Sequence, residues 1–428
     1  MSDLVIQGGR TLGGRIVVEG NKNAALPLLA ACLLTPEPCV LHNVPRIRDV
    51  HVMLDLLRSL GAQAEWESPS SVRVRAADVA SFEPDPQLVG RLRGSVLLLG
   101  ALIGRLGRAR LAPPGGDFPA RRTISTHVRA LEAMGARVVE DPAGHRLDAA
   151  DGLKAVSMYL LEASVTGTET ALLAAAQASG TTEIRNAACE PHVAELCAFL
   201  TGMGAAVEGA GSSTLRVTGG ALHGVEHTLR GDYIEAASWA VLGAITRGEM
   251  EVAGAYAHDL EPITAVLAEM NVDFDLEDGR LAVRPSELRG TRRITTGLWP
   301  GFPSDIVSLV TVLATQANGR TLVHDWMYEL RLFALEQLSA MRADLFLCDP
   351  HRIIVTGPTT LRGRVLDSRD IRSGMALIAA ALAAEGESTV LQIETVERGY
   401  ANVVERLQAL GADVTRTGEQ RPRSGQRA

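Results

Sequence analysis

Two apolar patterns alternate along this chain. In the first, a continuous Ala- and Leu-rich stretch runs into a polar turn and then an alternating segment. Examples are Leu33-Leu34-Thr35-Pro36-Glu37-Pro38-Cys39-Val40-Leu41, Ala176-Gln177-Ala178-Ser179-Gly180-Thr181-Thr182-Glu183-Ile184 and Ala383-Ala384-Glu385-Gly386-Glu387-Ser388-Thr389-Val390-Leu391. This pattern predicts a buried helix, a turn and a half-buried strand. In the second, a shorter helical stretch closes on Gly-Ala or a close variant and leads into a β-rich run. It occurs at Leu60-Gly61-Ala62, Met134-Gly135-Ala136, Met203-Gly204-Ala205, Met270-Asn271-Val272, Met341-Arg342-Ala343 and Leu410-Gly411-Ala412. Counted from the middle residue of each, the spacings are 74, 69, 67, 71 and 69 residues. The chain is therefore six copies of one unit. A period of about 70 residues exceeds the common solenoid repeats, so each copy is a small α/β unit in its own right.

A length of 428 residues suits two domains at about 100–200 residues each, and two sets of three units is the natural division. Apolar residues make up 46% and aromatics only 4%, which predicts helices packed through Ala, Leu and Val. A net charge of −8 gives no reason to expect nucleic acid as a partner, because phosphate-backbone binding needs a basic face. Convergent arginines can still hold a small anion. The five cysteines are scattered, with no CxxC pair or histidine cluster, which predicts reduced thiols, no metal site and a cytoplasmic protein. The N-terminus lacks a signal-peptide pattern, and the longest aliphatic stretches fall short of the ~20 residues a membrane span needs. Residues 416–428 carry no apolar side chains beyond a terminal alanine and are expected to form a disordered tail.

Four segments hold polar residues that packing does not explain. At Gly20-Asn21-Lys22-Asn23-Ala24-Ala25-Leu26-Pro27 a strand meets a helix. A lysine and two asparagines there make an anion site, since exposed N–H groups and the helix dipole favour negative charge. An Asn cap beside a solvated lysine is the structural alternative. Pro113-Pro114-Gly115-Gly116-Asp117-Phe118-Pro119-Ala120-Arg121-Arg122 suits either a lid over an anionic substrate or a plain connecting loop. Pro300-Gly301-Phe302-Pro303-Ser304-Asp305 puts Asp305 at a helix start, as a functional carboxylate or as an N-cap. Finally, Glu329-Leu330-Arg331, Asp367-Ser368-Arg369-Asp370-Ile371-Arg372 and Glu397-Arg398-Gly399-Tyr400 alternate acid with base, as an ion-pair network also would. The combination points further. Lys22, Arg93, Arg122, Arg331, Arg372 and Arg398 fall in connecting parts of different units. Cations gathered in one site call for a compensating anion, and arginine suits phosphate and carboxylate.

With these strings in view, and with Asn43-Val44-Pro45-Arg46-Ile47-Arg48-Asp49-Val50 and Asn186-Ala187-Ala188-Cys189-Glu190-Pro191, the chain resembles the enolpyruvyl transferases along nearly its whole length. The resemblance implies an inside-out α/β barrel of six βαβαββ units in two three-unit domains. One domain would span 21–230 and the other would combine 1–20 with 231–415, with the active site in the cleft between them. It implies transfer of the enolpyruvyl group of phosphoenolpyruvate to the 3′-hydroxyl of UDP-N-acetylglucosamine, a step of peptidoglycan precursor synthesis, with no cofactor.

By the same resemblance Lys22 and Arg122 hold the phosphate of phosphoenolpyruvate and Arg398 its carboxylate side. Asn23 and Asp305 meet the acceptor sugar, and Asp305 takes the proton from its hydroxyl. Arg93 and Arg331 support the pocket, with Glu329, Asp370 and Arg372 in the surrounding network. Thr123, Ile124, Ser125, Thr126, Ser164, Val165, Thr166 and Met327 fall at the family's substrate-binding positions. Asp117 stands where most of the family carries a cysteine that acts as general acid, and a carboxylic acid with a raised pKa can deliver the same proton. Arg122-Thr123-Ile124-Ser125-Thr126-His127 replaces the family's Arg-Pro-Val-Asp-Leu-His, and Glu162 stands where a lysine is common. These departures bear on the acceptor. They leave open a paralogue that uses another nucleotide or hydroxylated acceptor, and a non-catalytic paralogue that only binds anions.

Overall fold

The computed structural model describes residues 2–115, 123–139, 141, 144–328 and 331–418. The six Gly-Ala-like signatures have a common backbone explanation. Gly61, Gly135, Gly204, Asn271, Arg342 and Gly411 all adopt positive φ, between 60° and 111°. In each, the N–H of the marker residue bonds the carbonyl three residues back, and the next N–H bonds the carbonyl five back, as in Gly61→Arg58 and Ala62→Leu57. This is the Schellman termination of a helix, which a left-handed residue makes possible. The repeat is thus six helix stops of one kind.

Each repeat contributes two helices. The first of each pair is buried along most of its length: α1 (Lys22–Ala31), α3 (Leu97–Leu106), α5 (Val165–Ala175), α7 (Tyr233–Ile245), α9 (Val307–Thr315) and α11 (Ile371–Ala383). Every residue of α7 and α9 is buried, as expected of helices that are apolar on all faces. The second helices are α2 (Arg48–Ser59), α4 (Ser125–Ala133), α6 (Pro191–Gly202), α8 (Ala257–Glu269), α10 (Gln337–Ala340) and α12 (Val403–Ala409), and each ends at a marker residue. The strands form five four-stranded sheets and one three-stranded sheet among the described residues. They alternate buried with exposed positions, as in Val72–Arg75 and Thr214–Thr218, so each sheet turns one face to the core and one to water. Helices lie inside and sheets outside.

The chain divides into two compact units. Among the described residues one runs from Glu19 to Arg230, and the other combines the chain up to Val18 with everything from Gly231 onward. In the first unit α1, α3, α5 and α6 pack together, and in the second α7, α9 and α11 do. Three strands complete repeats far from them in sequence. Glu226–Thr228 runs parallel to Cys39–His42 in the first repeat, and Gly14–Val17 runs parallel to Met250–Ala253 in the fourth. Asp3–Gln7 lies between Glu387–Leu391 and Asp413–Thr417 in the sixth. That last ladder corrects the expected tail boundary. Asp3 pairs with Thr417 and Leu4 with Arg416, so the sheet reaches two residues into the stretch expected to be disordered. Backbone pairing needs no apolar side chain, and Arg416 also bonds the carboxylate of Glu397. The rest of that stretch, from Glu419, lies outside the described residues. No described helix is long and apolar enough to cross a membrane.

Candidate active site

Within each unit, several of the predicted site residues stand at the starts of the inner helices. Four of these helices open on a side-chain cap. Asn21 accepts from the N–H groups of Asn23 and Ala24, and Ser164 from that of Gly167. Asp232 accepts from Ile234 and Glu235, and Asp370 from Arg372 and Ser373. The remaining two, α3 and α9, are entered through 3-10 turns, Arg93–Val96 and Ser304–Ile306, with no side-chain cap bond. Helix N-termini present N–H groups and positive dipole ends, so a cluster of them favours anionic ligands.

In the C-terminal unit the site is built around Asp305. Its Oδ1 accepts from Arg331 Nη1 at 3.1 Å, and its Oδ2 from Arg372 Nη2 and Nε at 2.8 and 3.1 Å. The N-cap alternative for Asp305 therefore fails, because the carboxylate is turned to guanidiniums and the turn has no side-chain cap. Arg331 and Arg372 are 12% and 10% exposed, against 28% for Asp305. Burial works most strongly against both guanidinium charges, but Asp305 together with the surrounding groups, Tyr328, Asp325 and Asp370 for Arg331 and Tyr400 and Asp232 for Arg372, outweighs it, and both are held more firmly protonated than usual. Arg331 lies over the ring of Tyr328 at 4.2 Å and donates to Ser304 Oγ at 2.7 Å. Arg372 Nη1 reaches the hydroxyl of Tyr400 at 3.2 Å, and that hydroxyl meets Ser238 Oγ at 2.8 Å. Asp370 holds the first turn of α11 and so fixes the backbone that carries Arg372. Arg398 is half-buried two residues before Tyr400, and Met327 is half-buried with its N–H on Asp325.

In the other unit two of the sequence strings meet. A Cβ on Gly20 would fall 1.7 Å from the carbonyl oxygen of Asn43, so only glycine allows this approach. Asn43 is itself left-handed and clips the Leu229 carbonyl through its side chain at 3.0 Å. Six residues on, Asp49 reaches Lys22 Nζ at 3.0 Å, with the two side chains only 5% and 13% exposed. Lys22 is thus paired and mostly buried, which rules out the solvated-lysine alternative. Asn23 follows it half-buried in the first turn of α1.

A second group in the same unit gathers Arg93, Thr123 to Thr126 and Ser164 to Thr166. Arg93 Nη2 donates to the Thr123 carbonyl at 2.9 Å, and the Thr123 and Ser125 hydroxyls are 2.9 Å apart. Ile124 leads into α4, where His127 Nε2 meets Thr166 Oγ1 of α5 at 2.8 Å. A Cβ on Gly167 would come 2.9 Å from the Thr126 methyl, so the starts of α4 and α5 are in close contact. His127 is 2% exposed, and burial, helped by the charge of Arg93, pushes its pKa down to about 4. It is neutral near pH 7 and acts here as a hydrogen-bonding partner. Val165 begins α5 directly after the Ser164 cap.

Asp117, Arg122 and Glu329 lie outside the described residues. Sequence reasoning gave no role to Asp49, Ser304, Asp325, Ser238 or Tyr400, although Asp49, Ser304 and Tyr400 stand inside the quoted strings. The side chains they meet are 20 or more residues away in sequence, and no local pattern announces such a pair. Among the described residues no group of three or more His, Cys, Asp or Glu side chains is placed to hold a metal ion.

Comparison with known proteins identifies relatives of the whole chain. The EPSP synthase (3-phosphoshikimate 1-carboxyvinyltransferase) family model matches residues 6–407. A UDP-N-acetylglucosamine 1-carboxyvinyltransferase of Treponema denticola is 40% identical over 427 residues, covering 97% of this chain and 99% of the relative. One of Bradyrhizobium diazoefficiens is 41% identical, with coverages of 97% and 98%. Among solved structures, the enolpyruvyl transferase NikO from Streptomyces tendae superposes with a TM-score of 0.89 at 27% identity, covering 97% of this chain and 99% of that one. An EPSP synthase from Acinetobacter baumannii shares the fold at 18% identity and a TM-score of 0.77. The inside-out α/β barrel and the six-repeat division are therefore those of known proteins, and the chain belongs to the enolpyruvyl transferase family.

Proposed function

We propose that this protein transfers the enolpyruvyl group of phosphoenolpyruvate to the 3′-hydroxyl of UDP-N-acetylglucosamine and releases phosphate, as a cytoplasmic enzyme of peptidoglycan precursor synthesis. The names of its 40%-identical relatives support the acceptor. The observation that carries the chemistry is Asp305, set between Arg331 and Arg372 at the start of α9.

In this reading Asp305 takes the proton of the sugar hydroxyl, whose oxygen forms a bond to C2 of phosphoenolpyruvate. Asp117 delivers a proton to the methylene carbon. Loss of a methyl proton and of phosphate then restores the double bond in the product. Lys22 and Arg122 bind the phosphate, Arg398 the carboxylate side, and Asn23 the sugar. Arg93, Arg331, Glu329, Asp370 and Arg372 support the pocket, and Thr123 to Thr126, Ser164 to Thr166 and Met327 line the acceptor side. An aspartate bonded by two guanidiniums is held in a fixed orientation. Anionic substrate groups that draw donors from Arg331 and Arg372 would free its oxygens to receive the hydroxyl proton.

A second reading, the same transfer to a different nucleotide or hydroxylated acceptor, is favoured by one observation. The Thr123-Ile124-Ser125-Thr126 segment keeps neither the proline nor the aspartate of the family pattern, and Glu162 is exposed where a lysine is common. Initial-rate phosphate release from phosphoenolpyruvate, with UDP-N-acetylglucosamine and with other acceptors in parallel, separates the readings. Turnover with the nucleotide sugar is expected. Turnover only with another acceptor selects the second reading, and none with any acceptor contradicts both. Asp117 has its own test. Fosfomycin, which alkylates the family's cysteine, should leave wild-type protein unmodified and label Asp117→Cys, because a carboxylate is the poorer nucleophile.

A further inference from the structure

Asp325 follows the strand Gly319–His324 and is completely buried. Its Oδ1 accepts from Thr296 Oγ1 at 2.8 Å and from the Met327 N–H at 3.3 Å. Its Oδ2 accepts from Ser304 Oγ at 2.7 Å. Its own backbone is held on both sides by His351, through Asp325 N–H to the His351 carbonyl at 2.8 Å and the Asp325 carbonyl to His351 Nδ1 at 2.8 Å. A carboxylate in this position is costly to bury, and anchoring the strand end does not require a charge.

Hydrogen-bond polarity shows what the carboxylate supplies. An ionised carboxylate only accepts and a guanidinium only donates. Ser304 has one hydroxyl proton, which goes to Asp325, so its lone pairs are left to receive Arg331 Nη1 at 2.7 Å. The same Nη1 lies 3.1 Å from Asp305 Oδ1. We infer that Asp325 is a positioning residue for the transfer reaction, acting through Ser304 to seat Arg331 against Asp305. The inference rests on the proposed role of Asp305 as base.

An amide cannot replace this acid. In Asp325→Asn, a side chain with its oxygen toward Met327 and Thr296 would turn its NH2 to Ser304, which would then face two donors and have no acceptor for its own proton. With the oxygen toward Ser304, the NH2 would oppose the Met327 N–H. The first orientation breaks the bond to Ser304 directly, and the second sets two donors together and displaces the side chain that holds Ser304, so both loosen Arg331.

The test is a double-mutant cycle of Asp325→Asn and Ser304→Ala, read as kcat and KM with thermal stability measured alongside. Each single variant is expected to lower kcat about 10–100-fold, with KM for both substrates within about threefold of wild type. The double variant should match the more impaired single one within about twofold, because the two residues act in series. Independent, multiplicative losses, or wild-type kcat in Asp325→Asn, would overturn the inference. Should Asp325→Asn fail to fold, Ser304→Ala alone decides: at least tenfold lower kcat in folded protein upholds the inference, and kcat within twofold of wild type overturns it. Asp305→Ala, assayed in parallel, separates the two ideas. If that variant turns over normally, the base assignment fails. If it is inactive while Asp325→Asn and Ser304→Ala are normal, only the relay fails.

Discussion

The starts of α9 and α7 make an instructive pair, because both carry an aspartate and the two are used differently. Asp232 closes the N-terminus of α7, its Oδ1 accepting from two backbone N–H groups at 2.9 and 3.1 Å. Asp305 stands in the uncapped 3-10 turn before α9 and accepts from two arginines instead. Arg93 occupies the corresponding turn before α3 in the other unit. In a capped start the polar side chain serves the helix, to the extent of about 0.5–2 kcal/mol. In a 3-10 start the turn closes on its own backbone, and the side chain is left for ligands and charged neighbours. Six copies of one fold thus supply two kinds of helix entry, and the proposed base stands at the uncapped kind.

The comparison can be broken most directly at the two aspartates. Asp305→Ala should lower kcat by about 10²–10⁴, the usual effect of removing a positioned base, with little change in Tm. A large fall in Tm with modest loss of kcat would show that Asp305 serves the fold after all.

A pH experiment sharpens the account at the capped start of α5, where Thr166 meets His127. The folded-state pKa of His127 lies at about 4, below the unfolded value of ~6.5. Between those values the unfolded chain binds a proton that the folded protein refuses, so stability is full above pH ~6.5 and declines as pH falls toward about 4. The decline from this one group should be on the order of 3 kcal/mol. Denaturant titrations at several pH values should show it in wild type, and it should be absent in His127→Gln. Equal slopes in the two proteins would show that the histidine titrates normally.

Asp232→Ala should cost about 1 kcal/mol of stability through the lost cap, with kcat reduced less than tenfold. A loss of turnover as large as that of Asp305→Ala would erase the distinction between the two kinds of start. The smallest expected effect concerns the helix stops. Arg342 holds a φ of +71° where four of the other five markers are glycine. Arg342→Gly should therefore stabilise the protein by about 0.5–1 kcal/mol, measurable as a higher denaturant midpoint. No gain would mean that the arginine side chain offsets its backbone strain.

The repeat was readable from sequence because a helix stop leaves a local mark. Gly-Ala at the end of an apolar stretch reports a left-handed residue followed by a buried one, and the period survives even where Asn271 and Arg342 replace glycine. Lys22 was readable as a residue at a strand-to-helix junction and Asp305 as one at a helix start. Their surroundings were not. The partner of Lys22 is Asp49 of the same repeat, and those of Asp305 are Arg331 of its own repeat and Arg372 of the next, all more than 20 residues away in sequence. Asp325 gave no signal at all, since an acid after an alternating strand reads as the start of a loop. Only the fold shows it buried against Thr296 and Ser304. The N-cap alternative for Asp305 was plausible for the same reason, because sequence alone does not distinguish a 3-10 entry from a capped one.

In the proposed mechanism Asp305 acts on the acceptor hydroxyl in an enolpyruvyl transfer. Phosphate release from phosphoenolpyruvate in the presence of UDP-N-acetylglucosamine, measured on wild type, Asp305→Ala and Asp232→Ala whose folding has been confirmed, tests it most directly. The account predicts acceptor-dependent release by wild type, near-complete loss in Asp305→Ala and most of the rate retained in Asp232→Ala. Acceptor-dependent release by Asp305→Ala at close to the wild-type rate would contradict it.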